Sequence, residues 1–215
     1  MALPRPFNVL IAGVGGQGVF SLTRVFWALC ADAGQWCQGS TFKGGAQTLG
    51  SIHSWLRLYS GPQPQHDCYS TQILRGDLDL MIGLEPWETL RHHAYFGPRT
   101  RVYMNAHVRP LLAARSRTFA VRDPVAAVRA LGVPLVCRDY TAQATRELGS
   151  WKMANFLMGR DVVAAGDLPF SESDYVGAFA YCVPRAAPFH PAARTPGADR
   201  RGKPPLRSFT STNTG

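Results

Sequence analysis

Six residues, Gly13-Val-Gly-Gly-Gln-Gly18, constrain this chain more than any other feature. They lie between an apolar run, Phe7-Asn-Val-Leu-Ile-Ala12, and a segment from Val19 to Ala33 in which Leu22, Val25, Phe26 and Leu29 recur at spacings of three and four. The run reads as a buried parallel strand, and the spacing as one face of a helix. That strand–turn–helix context is what gives G-x-G-x-x-G a meaning. The first glycine permits the tight turn, the second lets a ligand approach the backbone, and the third allows close helix–strand packing. Free N–H groups at the helix start then favour an anion such as phosphate. The bland alternative is a tight turn that binds nothing. Gly13, Gly15, Gly16, Gln17 and Gly18 are the first candidate site residues.

The same alternation continues. Trp36–Thr41 and Ser51–Leu58 read as strands, and Leu78-Asp-Leu-Met-Ile-Gly-Leu84 as another buried one. Glu85-Pro86 suits a helix start running to about His93, because proline is tolerated at the first helical position. Arg101–Asn105 and Val133–Asp139 are further strands, with a helix from Asp123-Pro124 between them. Helices follow near Thr141–Leu148, Ser150–Arg160 and Ser171–Cys182, the last opened by a Ser171/Asp174 capping pair. Strands alternating with helices imply an α/β fold: a Rossmann-like open, mostly parallel sheet with helices on both faces. Residues 1–182 are expected to form one domain and 183–215 a basic Pro/Arg-rich tail.

A second polar loop, Thr41-Phe-Lys-Gly-Gly-Ala-Gln-Thr-Leu-Gly50, follows the second strand. It should share the carboxyl edge of the sheet with the glycine loop, and ligands of open α/β sheets gather there. Lys43 offers a positive charge, and Gln47 and Thr48 offer hydrogen bonds; a solvated lysine and a self-stitched loop are the alternatives. Arg57 would pair with a carboxylate or face a partner subunit. A nicotinamide dinucleotide is disfavoured, because that reading wants a carboxylate about 20 residues beyond the loop, where Trp36-Cys-Gln-Gly-Ser-Thr41 has none.

Composition removes other classes. The chain has 215 residues, 46% hydrophobic and 17% charged, too apolar for wholesale disorder. It contains no stretch of about 18 apolar residues to span a membrane and no leader-like apolar core, so a cytoplasmic location is expected. The net charge is +9, but residues 183–215 hold six basic side chains against one acidic, so the excess sits mostly in the tail. That distribution argues against nucleic-acid binding and for a tail that meets an acidic partner surface. Cys30, Cys37, Cys68, Cys137 and Cys182 form no C-x-x-C pair, so neither a zinc site nor an iron–sulfur cluster is expected. Glu85 reads as a helix-start residue, His92-His93 as dipole partners at a helix end, and His53 as a packed or surface residue. No catalytic or metal-binding constellation is evident.

Together these segments resemble the gamma-subunit family of 2-oxoacid:acceptor oxidoreductases. Val9-Leu-Ile-Ala-Gly-Val-Gly-Gly-Gln-Gly18 matches that family's opening strand and loop. Gly44-Gly-Ala-Gln-Thr-Leu-Gly-Ser-Ile-His-Ser-Trp-Leu-Arg57 resembles its G-M-A-Q-R-G-G-S-V-x-S-x-V-R segment, and Asp79-Leu-Met-Ile-Gly-Leu-Glu-Pro86 its D-L-x-x-G-x-E-P turn. Asn155 and Leu168-Pro-Phe-Ser171 fall at its late helix and cap. Thr48 and Leu49 replace the usual Arg-Gly, and the final N-x-x-A-F-x-x-G helix is not found after Cys182. The resemblance implies a subunit of a complex converting a 2-oxoacid and coenzyme A to acyl-CoA, carbon dioxide and two electrons, inactive alone. It also implies that thiamine diphosphate, Mg and iron–sulfur clusters reside in partner subunits, with ferredoxin or an NAD-linked subunit as acceptor. An aromatic substrate such as indolepyruvate or phenylglyoxylate fits the second loop. Gly13–Gly18, Lys43, Gln47 and Thr48 would then border a coenzyme A channel at the subunit interface. A free-standing nucleotide-binding regulatory module is the alternative from another class.

Overall fold

The two most apolar runs occupy the middle of the sheet because helices cover them on both faces. In this computed structural model, which describes residues 5–44, 50–61, 70–109 and 123–184, β1 (Phe7–Val14) is buried beyond its first residue. β2 (Cys37–Lys43) and β3 (Ser51–Leu58) follow, and β4 (Leu78–Gly83) is buried throughout. β5 (Phe96–Asn105) and β6 (Leu135–Arg138) complete the sheet. Its order is β2-β3-β1-β4-β5-β6. β1, β4, β5 and β6 pair in parallel, and β3 runs antiparallel to both β1 and β2. The sheet is thus mixed and mostly parallel, the Rossmann-like α/β arrangement expected from the alternation of elements.

Successive residues of β1 feed opposite cores, as the two-residue period of a strand requires. Val9 and Ile11 enter one cluster, and Leu10 and Ala12 the other. The helices are α1 (Val19–Asp32), α2 (Pro86–Arg91), α3 (Pro124–Ala130), α4 (Tyr140–Leu148), α5 (Ala154–Ala164) and α6 (Glu172–Cys182). Leu22, Val25, Phe26 and Leu29 of α1 join Phe156, Val162, Tyr175 and Phe179 from α5 and α6 over the first face, with Tyr140 and Ala144 of α4 beside them. Leu90 of α2 and Val125 and Val128 of α3 cover the second.

Local chemistry sets the helix starts. Glu85 caps α2 by accepting from the Glu88 N–H, with Pro86 next. Asp123 accepts from Val125 N and Ala126 N, and Asp139 from Ala142 N. Ser171 and Asp174 form the reciprocal capping box anticipated from their spacing.

Several boundaries differ from the sequence reading; β6, expected over Val133–Asp139, spans Leu135–Arg138, and the helix expected to about His93 ends at Arg91. β2 continues to Lys43, because the β2–β3 ladder extends to the Lys43–Ile52 pair, so Lys43 ends a strand and does not begin a free loop. β5 starts at Phe96, where the Thr100 hydroxyl donates to Leu78 O at 2.6 Å and accepts from Gly97 N at 2.8 Å across a register shift. The helix expected from Ser150 opens with a 3-10 turn, Trp151–Met153, and α5 runs on to Ala164. The basic tail beyond residue 184 lies outside the described residues. Among the described residues no helix is long and apolar enough to cross a membrane.

Candidate functional site

Because β1, β2, β4, β5 and β6 share one direction, the segments that follow them emerge at one edge. The glycine loop is the centre of that edge. Gly16 and Gly18 have φ of 89° and 87°, a region that side chains with a Cβ adopt at a cost. A Cβ at Gly13 would lie 2.8 Å from Gln17 Oε1 and 3.0 Å from Leu84 Cβ, so this glycine serves close packing. A Cβ at Gly18 would collide with the Asn155 side-chain amide. Gly18 caps α1 in the left-handed conformation with no side-chain cap, and the first turn of α1 has no acidic residue. The helix start is therefore positive and free of internal counter-charge.

Gln17 is more engaged than a ligand-facing residue would need to be. Its Oε1 accepts from Val14 N at 2.8 Å, and its Nε2 donates to Leu84 O at 3.0 Å. Gly15 N donates to Gly50 O at 3.0 Å, which joins the glycine loop to the entry of β3. Lys43 stands exposed at the end of β2 on the same edge. Gln47 and Thr48 lie outside the described residues.

A small cleft of about 260 Å³, open mouth included, lies on the β4–β5 side of the loop. It is lined by Gln17, Asn105, Arg109, Thr141, Trp151, Lys152 and Asn155, with Leu84 and Ala154. Among the described residues, Gln17 is the one anticipated site residue that lines it. The Arg109 guanidinium sits 4.4 Å from the Trp151 ring centroid, and Lys152 Nζ 5.8 Å from it. Among the described residues two cations and no carboxylate line the cleft, so its field favours an anion. Asn105 Nδ2 donates to Thr141 Oγ1 at 2.8 Å and approaches Leu84 O at 3.4 Å, closing the floor. Asn155 is 4% exposed; its Nδ2 donates to Gly18 O at 3.3 Å while its Oδ1 has no partner among the described residues.

Glu85, at the same edge, is fully buried. Burial pushes its carboxyl up to about 7, against the opposing pull of amides from Glu88, Trp87 and Arg109, and the neighbouring Glu88 charge adds to the rise. The capping role read from sequence is present, and the burial is additional to it. His93 Nδ1 meets Leu90 O at 2.9 Å, as a helix-end histidine should. His92 does not fit that account: it is buried, its ring lies 4.7 Å from that of His53, and burial drives it down to about 4. Arg57 donates to Asn8 Oδ1 and Ser70 O. Among the described residues no group of three or more His, Cys, Asp or Glu is placed to hold a metal.

Arg109, Trp151 and Lys152 carried no sequence signal. They belong to no motif and come from segments that meet only when β5 and β6 are laid beside β4. The family model for pyruvate ferredoxin/flavodoxin oxidoreductase matches residues 8–187. Indolepyruvate oxidoreductase subunit IorB of Thermococcus kodakarensis is 27% identical over 106 residues, covering 49% of this chain and 50% of the relative. Subunit IorB of Archaeoglobus fulgidus is 24% identical over 165 residues, 76% of this chain and 79% of the relative. The chain spans about half the length of the first of these curated relatives. In fold it is similar to pyruvate oxidoreductase subunit PORC of Thermotoga maritima, with a TM-score of 0.56, 15% identity, and coverage of 89% of this chain and 94% of that one. The gamma subunit of a keto/oxoacid ferredoxin oxidoreductase from Geobacter sulfurreducens gives a TM-score of 0.54 at 14% identity, over 87% and 96% of the two chains. With its glycine loop and cleft inside the matched span, the chain belongs to the pyruvate ferredoxin/flavodoxin oxidoreductase family.

Proposed function

We propose that this chain is the gamma-type subunit of a thiamine diphosphate-dependent 2-oxoacid:acceptor oxidoreductase, acting on an aromatic 2-oxoacid such as indolepyruvate or phenylglyoxylate. The complex converts 2-oxoacid and coenzyme A to acyl-CoA, carbon dioxide and two electrons, which leave on ferredoxin or an NAD-linked acceptor. The observation that carries this reading is the meeting of an uncapped helix start with a cleft whose described lining holds Arg109 and Lys152 and no acidic side chain. Family membership supplies the reaction class, and the names of the IorB relatives support the aromatic substrate.

The residues fit coenzyme A as a polyanion. Arg109 and Lys152 offer charge-assisted contacts to its phosphates, the start of α1 just after the glycine loop offers backbone amides, and Trp151 offers an aromatic face. Coenzyme A supplies the thiol that accepts the acyl group; this chain's part is to orient it and exclude water. We assign thiamine diphosphate, Mg and the iron–sulfur clusters to partner subunits, as the family resemblance implies. Four exposed apolar side chains, Phe20, Phe42, Val108 and Trp151, rim this edge, which supports its being covered by a partner.

The test is the coenzyme A dependence of the assembled complex carrying Gly15→Val. A rise in KM for coenzyme A of about tenfold, worth about 1.4 kcal/mol, is expected. Unchanged KM and turnover overturn the role of the loop. Intact coenzyme A binding with failed co-purification would make the loop an interface element instead. We further propose that the basic residues 185–215 clamp an acidic neighbouring subunit; their removal is expected to make assembly salt-sensitive, and unchanged stability at raised salt contradicts this.

A further inference from the structure

We propose that Glu85 is a positioning residue for Arg109: its buried carboxylate holds the Arg109 backbone amide and so keeps the guanidinium over Trp151 at the mouth of the cleft. This rests on the reading of the cleft as the anion-binding site of the complex. Glu85 immediately precedes α2, two residues beyond the end of β4, and both its oxygens are occupied. Oε2 accepts from Glu88 N at 3.0 Å, which anchors the side chain to the helix start, and Oε1 accepts from Arg109 N at 3.4 Å. The carboxylate therefore bridges two segments 24 residues apart. The segment it holds carries the guanidinium that lies 4.4 Å from the Trp151 centroid. A cap of α2 alone would need only the first of these bonds.

The surroundings make that clasp responsive to proton concentration. Glu85 is fully buried and titrates near 7. The charged group closest on its own helix is Glu88, whose charge raises Glu85; Glu88 is itself bound by the Ser51 hydroxyl of β3 at 2.6 Å and by Arg91 at 3.4 Å. From the segment after β5, the backbone amide of Arg109 faces Glu85. The adjoining strand ends, Ala12-Gly-Val14 of β1 and Ile82-Gly83 of β4, and Leu84 after β4 carry no titratable side chain. α3, packed against α2, has Asp123 engaged in its own cap and Arg129 in its last turn. An ionised carboxylate accepts more strongly than a protonated one, so the clasp tightens as pH rises through 7 and loosens below it.

Two measurements on the assembled complex test this. The first is the KM for coenzyme A between pH 6 and 8 in wild type, Glu85→Gln, Arg109→Ala and the double variant. In wild type KM falls as pH rises. Glu85→Gln raises KM about fivefold at pH 8, leaves kcat near wild type and flattens the pH profile. In the Arg109→Ala background Glu85→Gln has no further effect. An equal loss in both backgrounds, or an unchanged profile in Glu85→Gln, overturns the proposal. The second needs no ligand: the Trp151 fluorescence, taken as wild type minus Trp151→Phe, shows a transition near pH 7 that Glu85→Gln abolishes. Absence of that transition in wild type also overturns the proposal. A transition without any effect of Arg109→Ala on KM keeps the positioning role and rejects coenzyme A as the ligand. If Glu85→Gln does not assemble, Arg109→Ala alone decides, because it must remove the pH dependence of KM.

Discussion

The Leu84 carbonyl accepts from the Gln17 side-chain amide at 3.0 Å, so the glycine loop after β1 is tied directly to the end of β4. The same Gln17 accepts from Val14 N at 2.8 Å. Two neighbouring parallel strands are thereby locked in register at the edge where the cleft opens. Gln17→Ala takes the Gln17 Oε1 acceptor from the Val14 amide and leaves the Leu84 carbonyl only the longer contact from Asn105 Nδ2, at a cost of about 1–3 kcal/mol. In a chain of this size that lowers Tm by about 2–4 °C for each kcal/mol. Thermal unfolding of the isolated chain measures it, and an unchanged Tm would show that the clasp is dispensable.

Gly18 combines two constraints that rarely coincide. Its φ of 87° disfavours any Cβ, and the Asn155 amide occupies the space a Cβ would take. Gly18→Ala is expected to destabilise by about 1–2 kcal/mol from the backbone alone, with more from displaced Asn155. Gly16→Ala, at φ of 89° but with open space around it, should cost only the backbone part. Urea midpoints rank the two, and equal values would contradict the packing role of Asn155.

His92 and Glu85 make stability depend on pH in opposite directions. Burial lowers His92 to about 4 from an ordinary value of 6.5, with His53 and Arg91 adding to the fall. Below 6.5 the unfolded chain takes the proton first, so stability is lost as pH falls toward 4, by on the order of 3 kcal/mol at most. Glu85 is raised from 4.5 to about 7. Between those values the unfolded chain releases its proton first, so stability is lost as pH rises. The two slopes offset each other between 4.5 and 6.5. His92→Phe should therefore leave a profile that falls with rising pH, and Glu85→Gln one that climbs with it. Urea denaturation at pH 5, 6, 7 and 8 reads both; parallel profiles for the two variants would refute the assignment.

The fold was legible in the sequence where one local signal decided an element. The apolar run Val9–Ala12, the three- and four-residue spacing of α1, the Glu85-Pro86 start and the Ser171/Asp174 cap each specify their own backbone. The antiparallel direction of β3 has no such local signal, since it depends on which neighbour the strand finds. The glycine loop was legible because its chemistry is contiguous. Arg109, Lys152 and Trp151 were not, because their shared surroundings exist only once the segment after β5 and the 3-10 turn before α5 converge at one edge. Lys43 illustrates the converse: chain order put it at the correct edge, but two-stranded pairing with β3 places it at the end of β2, outside the lining of the cleft.

We propose that this chain serves a reaction whose electron carriers belong to other polypeptides. The most direct test is purification of the tagged chain from its native host, followed by assay of 2-oxoacid- and coenzyme A-dependent acceptor reduction in each fraction. Activity is predicted only in fractions where the chain travels with thiamine diphosphate- and iron–sulfur-containing subunits. Turnover of a 2-oxoacid by the chain alone, or a chain that never travels with such subunits, would contradict the account.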